Sequence, residues 1–406
     1  MKRLNKLKRR IAAVAAGMYL LCACCGALAD VKLQETRRGG RVTEAAWVDD
    51  QGKTTAGPDG YAIVRYTYKD RDTTEMYFNA EGEPCVSAGG YYGRIVTRDA
   101  KDRVSGIQYL DASGERMLNM YGYGRVTMVY TSFGELRTLK YYGLGKDTVT
   151  VPSLGYAMIE ADYSGKSMTR WTYLDPDGAL TEGPEGYAAV YQKVDGKYKV
   201  IQTRYTHADG SPATCADGWS SSVTERDAKE RVISVKYYDE SGALTDRGLG
   251  YAYEKNEWSG NRQVTVTRYS LSGEKVPLAN GAFSLMKTLR DDLVTREMYL
   301  DASGEPMTDG QGIAGVSYGY DSEGRLESVT YLNAAGDRAL CAEGYAGYRD
   351  TRGENGMILS RIWIGEDGLK TDRSGGYAEA RYSYDASGAL SATRYYNAAG
   401  AQVQAE

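Results

Sequence analysis

An aromatic residue returns about every 32 positions from Trp47 to Tyr395, through Tyr77, Tyr109, Tyr141, Tyr173, Tyr205, Tyr237, Tyr269, Tyr299, Tyr331 and Trp363. The steps are 30 or 32 residues, and every copy carries a ring. A fixed period of this length is the mark of a repeat protein, in which each unit buries its apolar face against its neighbours. The uninterrupted series argues for one array over residues 45–406 rather than the two or three separate domains that 406 residues would otherwise suggest.

Two glycine series keep step with the rings. One runs from Gly52 through Gly82 and Gly114 to Gly400, the other from Gly60 through Gly90 and Gly122 to Gly376. The second is usually followed by an aromatic, as in Gly60-Tyr61, Gly218-Trp219 and Gly376-Tyr377. Between the glycines, apolar and polar residues alternate: Ala378, Ala380, Tyr382 and Tyr384 fall on one face, Glu379, Arg381 and Ser383 on the other. Period-two alternation bounded by Asx and Gly turns predicts antiparallel strands, two per repeat. In the second strand Ile233, Val235 and Tyr237 share a face, as do Ile107 and Tyr109, and Val329 and Tyr331, which predicts a ladder of rings and β-branched residues. The expected fold is all-β: eleven and a half tandem hairpins in an elongated, twisted or superhelical ribbon, since flat sheets beyond about ten strands curl or split. Copies seven and eight are the least regular. Ala282-Phe283 follows Gly281, and Asn256 to Gly260 is expected to distort a turn.

The N-terminus reads as a targeting segment. Six basic residues precede the apolar run Ile11 to Leu21, and Ala27-Leu28-Ala29 suits cleavage before Asp30. Residues 1–29 are therefore expected to be a signal peptide, with export to the cell surface or medium. Leu21-Cys22-Ala23-Cys24 offers lipidation at Cys24 as the alternative to soluble release, and the membrane is expected as a partner only through such an anchor. Residues 30–44 read as a linker or N-terminal cap. Removing 1–29 takes six Lys and Arg and no acid, leaving 44 cations against 54 anions and a net charge of −10. That balance disfavours nucleic acid as a partner. Cys85, Cys215 and Cys341 remain, an odd number for internal pairing. Tyr outnumbers Phe 36 to 3, which suits a thin body where a large ring must leave its hydroxyl near water.

Tyr320-Asp321-Ser322-Glu323-Gly324-Arg325-Leu326 resembles the YD repeat of Rhs and teneurin-type proteins, and Tyr384-Asp385-Ala386-Ser387-Gly388 is a second copy. Degenerate versions recur over residues 45–400. The resemblance implies long spiralling β-sheets of the kind that form shells around a toxin domain, although this chain is short for a closed shell. Tyr299-Leu300-Asp301-Ala302-Ser303-Gly304 is similar to the hairpins of cell-wall and glucan-binding repeats, whose Gly-Trp pair occurs here once, at Gly218-Trp219.

Residues with catalytic chemistry are sparse. His207 is the only histidine and sits in a turn, Tyr205-Thr206-His207-Ala208-Asp209-Gly210, without a nucleophile beside it. The recurrent turn aspartates Asp111, Asp175, Asp177, Asp239, Asp301, Asp321 and Asp385 offer oxygen to calcium, but Asp also favours turns by capping backbone N–H groups. Gly310-Gln311-Gly312-Ile313-Ala314-Gly315 matches a dinucleotide fingerprint in the place where every copy has a loop into a strand. No catalytic residue, cofactor or metal is expected. The candidate ligand or ladder aromatics are Tyr205, Trp219, Tyr237, Trp258 and Tyr269. The expected function is non-enzymatic: a monomeric, extended β surface that binds an envelope glycan or protein partner, or else a structural carrier module akin to YD-repeat shells.

Overall fold

The computed structural model describes residues 31–404 except 247, 249, 386 and 387. Twenty-five β-strands and no helix occur among the described residues. The all-β hairpin array expected from the periodicity is the fold. The proposed signal segment and Cys24 lie outside the described residues. The chain divides into two compact units, meeting in sequence at Ala216 and Asp217. In the first unit, twelve strands from Lys32–Arg38 to Val200–Thr206 pair antiparallel, each with its neighbour in sequence. In the second, thirteen strands from Ser221–Arg226 to Gln402–Val403 do the same. Residues 30–44, read as linker or cap, contain the first strand of the array. Lys32–Arg38 pairs with Arg41–Val48 across Gly39 and Gly40, both at positive φ as a tight hairpin turn requires.

One repeat shows how the sequence builds the unit. Strands Gly93–Arg98 and Val104–Leu110 join through Asp99 to Arg103. Asp99 Oδ1 accepts the backbone N–H of Lys101 and Arg103, and Asp102 takes the left-handed conformation at φ 61°. Other copies place Gly134, Gly324 or Gly356 at this point, where a side chain is disfavoured. After the second strand, Asp111 Oδ1 caps a matching turn through the N–H groups of Ser113 and Glu115. The chain then bridges back at Arg116 against Leu110, and Gly122 at φ 87° swings Tyr123 onto Tyr109. The next residue, Gly124, donates to Tyr142 O and accepts from Tyr109 N–H, which places it between two strands. A Cβ there would lie 2.9 Å from Gly143 O. Most other copies have alanine at this point, among them the fully buried Ala157, Ala188, Ala252, Ala346 and Ala378.

Cross-strand partners share a face, so the register sorts each sheet into two sides. On the inner side of the first unit Val126 opposes Tyr141, Met128 opposes Leu139, Leu139 opposes Ile159, and Trp171 opposes Ala161. All are buried and belong to one apolar cluster with the rings. Each large side chain so buried contributes roughly 1.5–3 kcal/mol. The inner side of the second unit is more polar. Asp350, 4% exposed, receives both Arg361 nitrogens at 2.7 and 2.9 Å, and Arg361 lies over Tyr348 at 3.9 Å. Lys287 pairs with Glu297, which also accepts the Tyr318 hydroxyl.

Gly183 packs against a ring so closely that an added Cβ would stand 2.4 Å from Tyr173. Gly183→Ala is expected to cost about 1–3 kcal/mol by overpacking. Gly178→Ala, at φ 86° in open space, is expected to cost about 1 kcal/mol through backbone strain alone. Urea midpoints of the two variants give the comparison, and equal midpoints would remove the packing role assigned to Gly183.

Candidate functional site

The rings form one column in the first unit and two runs in the second, built from both aromatic positions of the repeat. In the first unit Tyr61, Tyr77, Tyr91, Tyr109, Tyr123, Tyr141, Tyr156, Tyr173, Tyr187 and Tyr205 follow one another with centroids 4.4 to 6.1 Å apart. The ladder was expected to join rings about 32 residues apart. Instead the ring after each second glycine is inserted between them, so neighbours in the column are 14 to 18 residues apart in sequence. Most contacts are tilted or edge-on, as the ring quadrupole favours. Tyr77, Tyr109, Tyr141 and Tyr173 are each at most 6% exposed. The column is core.

In the second unit Trp219, Tyr237 and Tyr251 continue this pattern at 5.5 and 6.1 Å. Trp219 and Tyr237 are buried, and Tyr205 is half-buried at the far end of the first column. Tyr269, however, is not a column ring. Val276 N–H bonds Arg268 O where other copies bond the ring residue, and Tyr269 bridges Lys275 where other copies have Leu110, Leu174 or Leu300. The repeat is one residue short here, 31 positions from Gly242 to Gly273, and the spacing of 32 that picked out Tyr269 is off by one. Arg268 takes the ring's place and lies over Tyr251 at 4.5 Å, paired with Glu254. Tyr269 faces the opposite side and stacks on Tyr253 at 4.9 Å. Ala282 and Ile313, both buried, replace the next two inserted rings.

Trp258 also lies off the column. It belongs to the strand Tyr253–Ser259, so Asn256 to Ser259 is strand rather than a distorted turn. Its Nε1–H donates to Val232 O at 3.0 Å. Five tyrosines make the same link to the preceding hairpin with their hydroxyls, each at 2.8 Å: Tyr68 to Val42, Tyr130 to Val104, Tyr163 to Leu136, Tyr320 to Val294 and Tyr384 to Ile358. These staples include the tyrosines of the two best YD motifs, whose role was not read from the sequence. The signal was present in the fixed place of Tyr320 and Tyr384 just before the turn aspartate. The motif's aspartate and arginine act together: Arg325 bonds Asp321 Oδ2, as Arg103 bonds Asp99 and Arg231 bonds Asp227. Arg103 then lies over Tyr130 of the next hairpin, and Arg231 over Trp258.

The remaining candidates are occupied by the same work. His207 Nδ1 stands 3.2 Å from Glu182 Oε1, which also accepts Ala208 N–H, tying the turn to the preceding repeat. Asp301, like Asp111 and Asp239, uses Oδ1 to cap two backbone N–H groups and a serine hydroxyl, which lowers its carboxyl below the usual range. The Arg103 guanidinium brings Asp99 down to about 2. Among the described residues no three His, Cys, Asp or Glu side chains are grouped to hold a metal. Gly310 to Gly315 is a turn capped by Asp309 that leads into the strand Gly315–Tyr320.

Fold and site together define a tandem β-hairpin repeat protein with an aromatic core. No family profile and no curated protein matches the chain. Among solved structures it is similar to the TcdB2-TccC3-TEV crystal structure, with 10% identity, coverage of 86% of this chain and 19% of that one, and a TM-score of 0.29. The Photorhabdus luminescens Tc holotoxin pore gives 10% identity, 89% and 22% coverage, and 0.25. A porin-like protein from Bacteroides uniformis gives 8% identity, 74% and 91% coverage, and 0.23. The chain spans about a fifth of the length of the first two structures. These low TM-scores carry no functional assignment.

Two outcomes follow from the rings and staples. Burial raises the pKa of Tyr77, Tyr109 and Tyr141 well above the ordinary value. Unfolded tyrosine ionises near ~10, so the stability held by these phenols is intact below about pH 10 and declines as pH rises toward their folded values. Tyrosinate absorbance is expected to show a late phase that coincides with loss of β circular dichroism. Complete ionisation with the β signal intact would contradict a buried column. Separately, Tyr320→Phe leaves the Val294 carbonyl without its hydroxyl donor and is expected to cost about 0.5–1.5 kcal/mol in urea denaturation. Tyr198→Phe, a ring 53% exposed, is the control and should lie near zero.

Proposed function

We propose that the chain is an exported, non-enzymatic repeat protein that presents an extended β surface to an envelope glycan or a protein partner. The observation that carries this reading is how the reactive side chains are used. Tyrosine hydroxyls staple one hairpin to the next, turn aspartates cap backbone N–H groups, and His207 ties a turn to Glu182. With the rings closed on one another, the contact surface for a partner is the outer sheet face and the loop edges rather than the column. Repeat arrays commonly bind through such long faces. Binding at the column rings Trp219 and Tyr237 would require opening the core, so the ligand contacts fall elsewhere.

The test starts from the full chain expressed with its own N-terminus. Recovery outside the cytoplasm, with a mature end at Asp30 or an acylated Cys24 by mass spectrometry, supports export, and retention in the cytoplasm opposes it. Saturable retention on purified envelope glycan or on one envelope protein supports the binding role. A protein that retains neither, and co-purifies instead with a cargo protein, would replace this reading with that of a structural or carrier module.

A further inference from the structure

We propose that the outer sheet face of the last three hairpins is a binding site for a linear acidic glycan, one that carries carboxylates along its length. This rests on the reading of the chain as a glycan- or protein-binding array and names the place and the chemistry. The strands concerned are Leu326–Leu332, Gly347–Arg352, Ile358–Ile364, Glu379–Tyr384 and Leu390–Tyr396. Their register places Arg349, Arg381 and Arg394 on one face, and the bridges Leu332 to Arg338 and Ile364 to Lys370 add two cations to it. Among the described residues of these strands, Glu379 is the one carboxylate on that side. It is already shared by Lys370 and Arg381.

Arg381 and Arg394 are direct cross-strand partners, and both are exposed. Glu379 and Tyr396 account for Arg381 within the fold, but a like charge set opposite it gains the sheet nothing, so stability does not account for Arg394. The acidic balance of the chain makes the concentration of cations on one face stand out further. Arg349 and Arg381 hold the same position in successive hairpins, one residue past the partner of the column ring. Two strand spacings and a two-residue offset along the strand separate them, about 12 Å in all, on the order of one disaccharide. A guanidinium fork binds a carboxylate through two parallel hydrogen bonds. Thr330, Thr351 and Ser360 on the same face supply hydroxyls suited to sugar oxygens. Tyr396 adds a ring beneath Arg381 at 4.2 Å. The aspartate-rich turns at the ends of these strands oppose a polymer as densely charged as nucleic acid, which favours the more widely spaced charge of a uronate chain.

The experiment uses the full chain and two variants, Arg394→Gln and the triple Arg349→Gln/Arg381→Gln/Arg394→Gln, each confirmed as folded by circular dichroism. The probes are polygalacturonate oligomers, neutral dextran of matched length and duplex DNA, read by interferometry over a salt series. Wild type is expected to bind polygalacturonate and not dextran, with affinity falling as salt rises. The triple variant is expected to bind roughly tenfold more weakly or worse, with Arg394→Gln between the two. Wild-type affinity in the triple variant, no polygalacturonate binding at all, or tighter binding of DNA lost in the same variant would each overturn the proposal. If envelope material is still retained in those cases, only the patch is wrong. If nothing is retained, the broader binding role falls as well.

Discussion

Ring-to-ring contact between successive turns of the chain is the interaction on which the rest of this structure depends. A single hairpin has too little apolar area to fold alone, and two packed strands are at best marginally stable in water. A regular repeat contributes two rings from different parts of the unit, one from the second strand and one from the loop after the second glycine. Tyr109 is held between Tyr91 and Tyr123 at 4.6 and 5.6 Å, so each ring is buried by its neighbours in the column. Everything else in the repeat serves that insertion. Gly122 supplies the positive φ that turns Tyr123 inward. The small residue after the inserted ring lets the backbone bond a strand on either side, as Ala188 does with Tyr173 and Thr206.

The two units solve the same problem with different chemistry. In the first, aliphatic residues beside the column leave one continuous apolar cluster. In the second, three inserted or strand rings give way to Arg268, Ala282 and Ile313, and ion pairs of the kind that Arg94 and Glu75 form on the inner side of the first take a larger share. Arg268 shows how this is tolerated. Its planar guanidinium stacks on Tyr251 much as a ring would, and Glu254 meets its charge. Buried ion pairs add little net stability after desolvation, so the second unit leans on backbone pairing and on its side-chain-to-carbonyl staples. Trp258, Tyr320 and Tyr384 supply those staples along it.

The fold was legible because every repeat carries the same strong signals: alternation, turn aspartates and a period that hardly drifts. Two particulars were not. The insertion of Tyr123 between Tyr109 and Tyr141 is a tertiary fact, since spacing along a strand says which face a ring takes but not which other ring it meets. Tyr269 was misplaced because a 31-residue copy had been counted as 32, and in a strand one residue exchanges the faces. The hydrogen bond from Val276 to Arg268 fixes the true register, which the 31-residue step from Gly242 to Gly273 already marks in the sequence. His207 and the turn aspartates were read as turn residues, and their partners are turn partners. The staple tyrosines were visible as motif letters, but their acceptor is a backbone carbonyl, which carries no sequence signature.

The division of labour between the two faces constrains where a function can reside. Inner-face residues are coupled to both neighbouring repeats, so a change at Tyr173 or Ala188 is felt on either side. Outer-face residues touch fewer partners, and repeat arrays tolerate variation there because each unit needs only its nearest neighbours to fold. Across the outer face most cations are matched or stacked: Arg65 with Glu44 and Phe78, Arg170 with Asp162, Lys236 with Glu225. Arg381 keeps that rule through Glu379 and Tyr396, while Arg394 opposite it adds a second cation to a stretch where Glu379 is already shared. The proposed acidic-glycan site rests on this excess of cation over carboxylate, on the face that the fold leaves free.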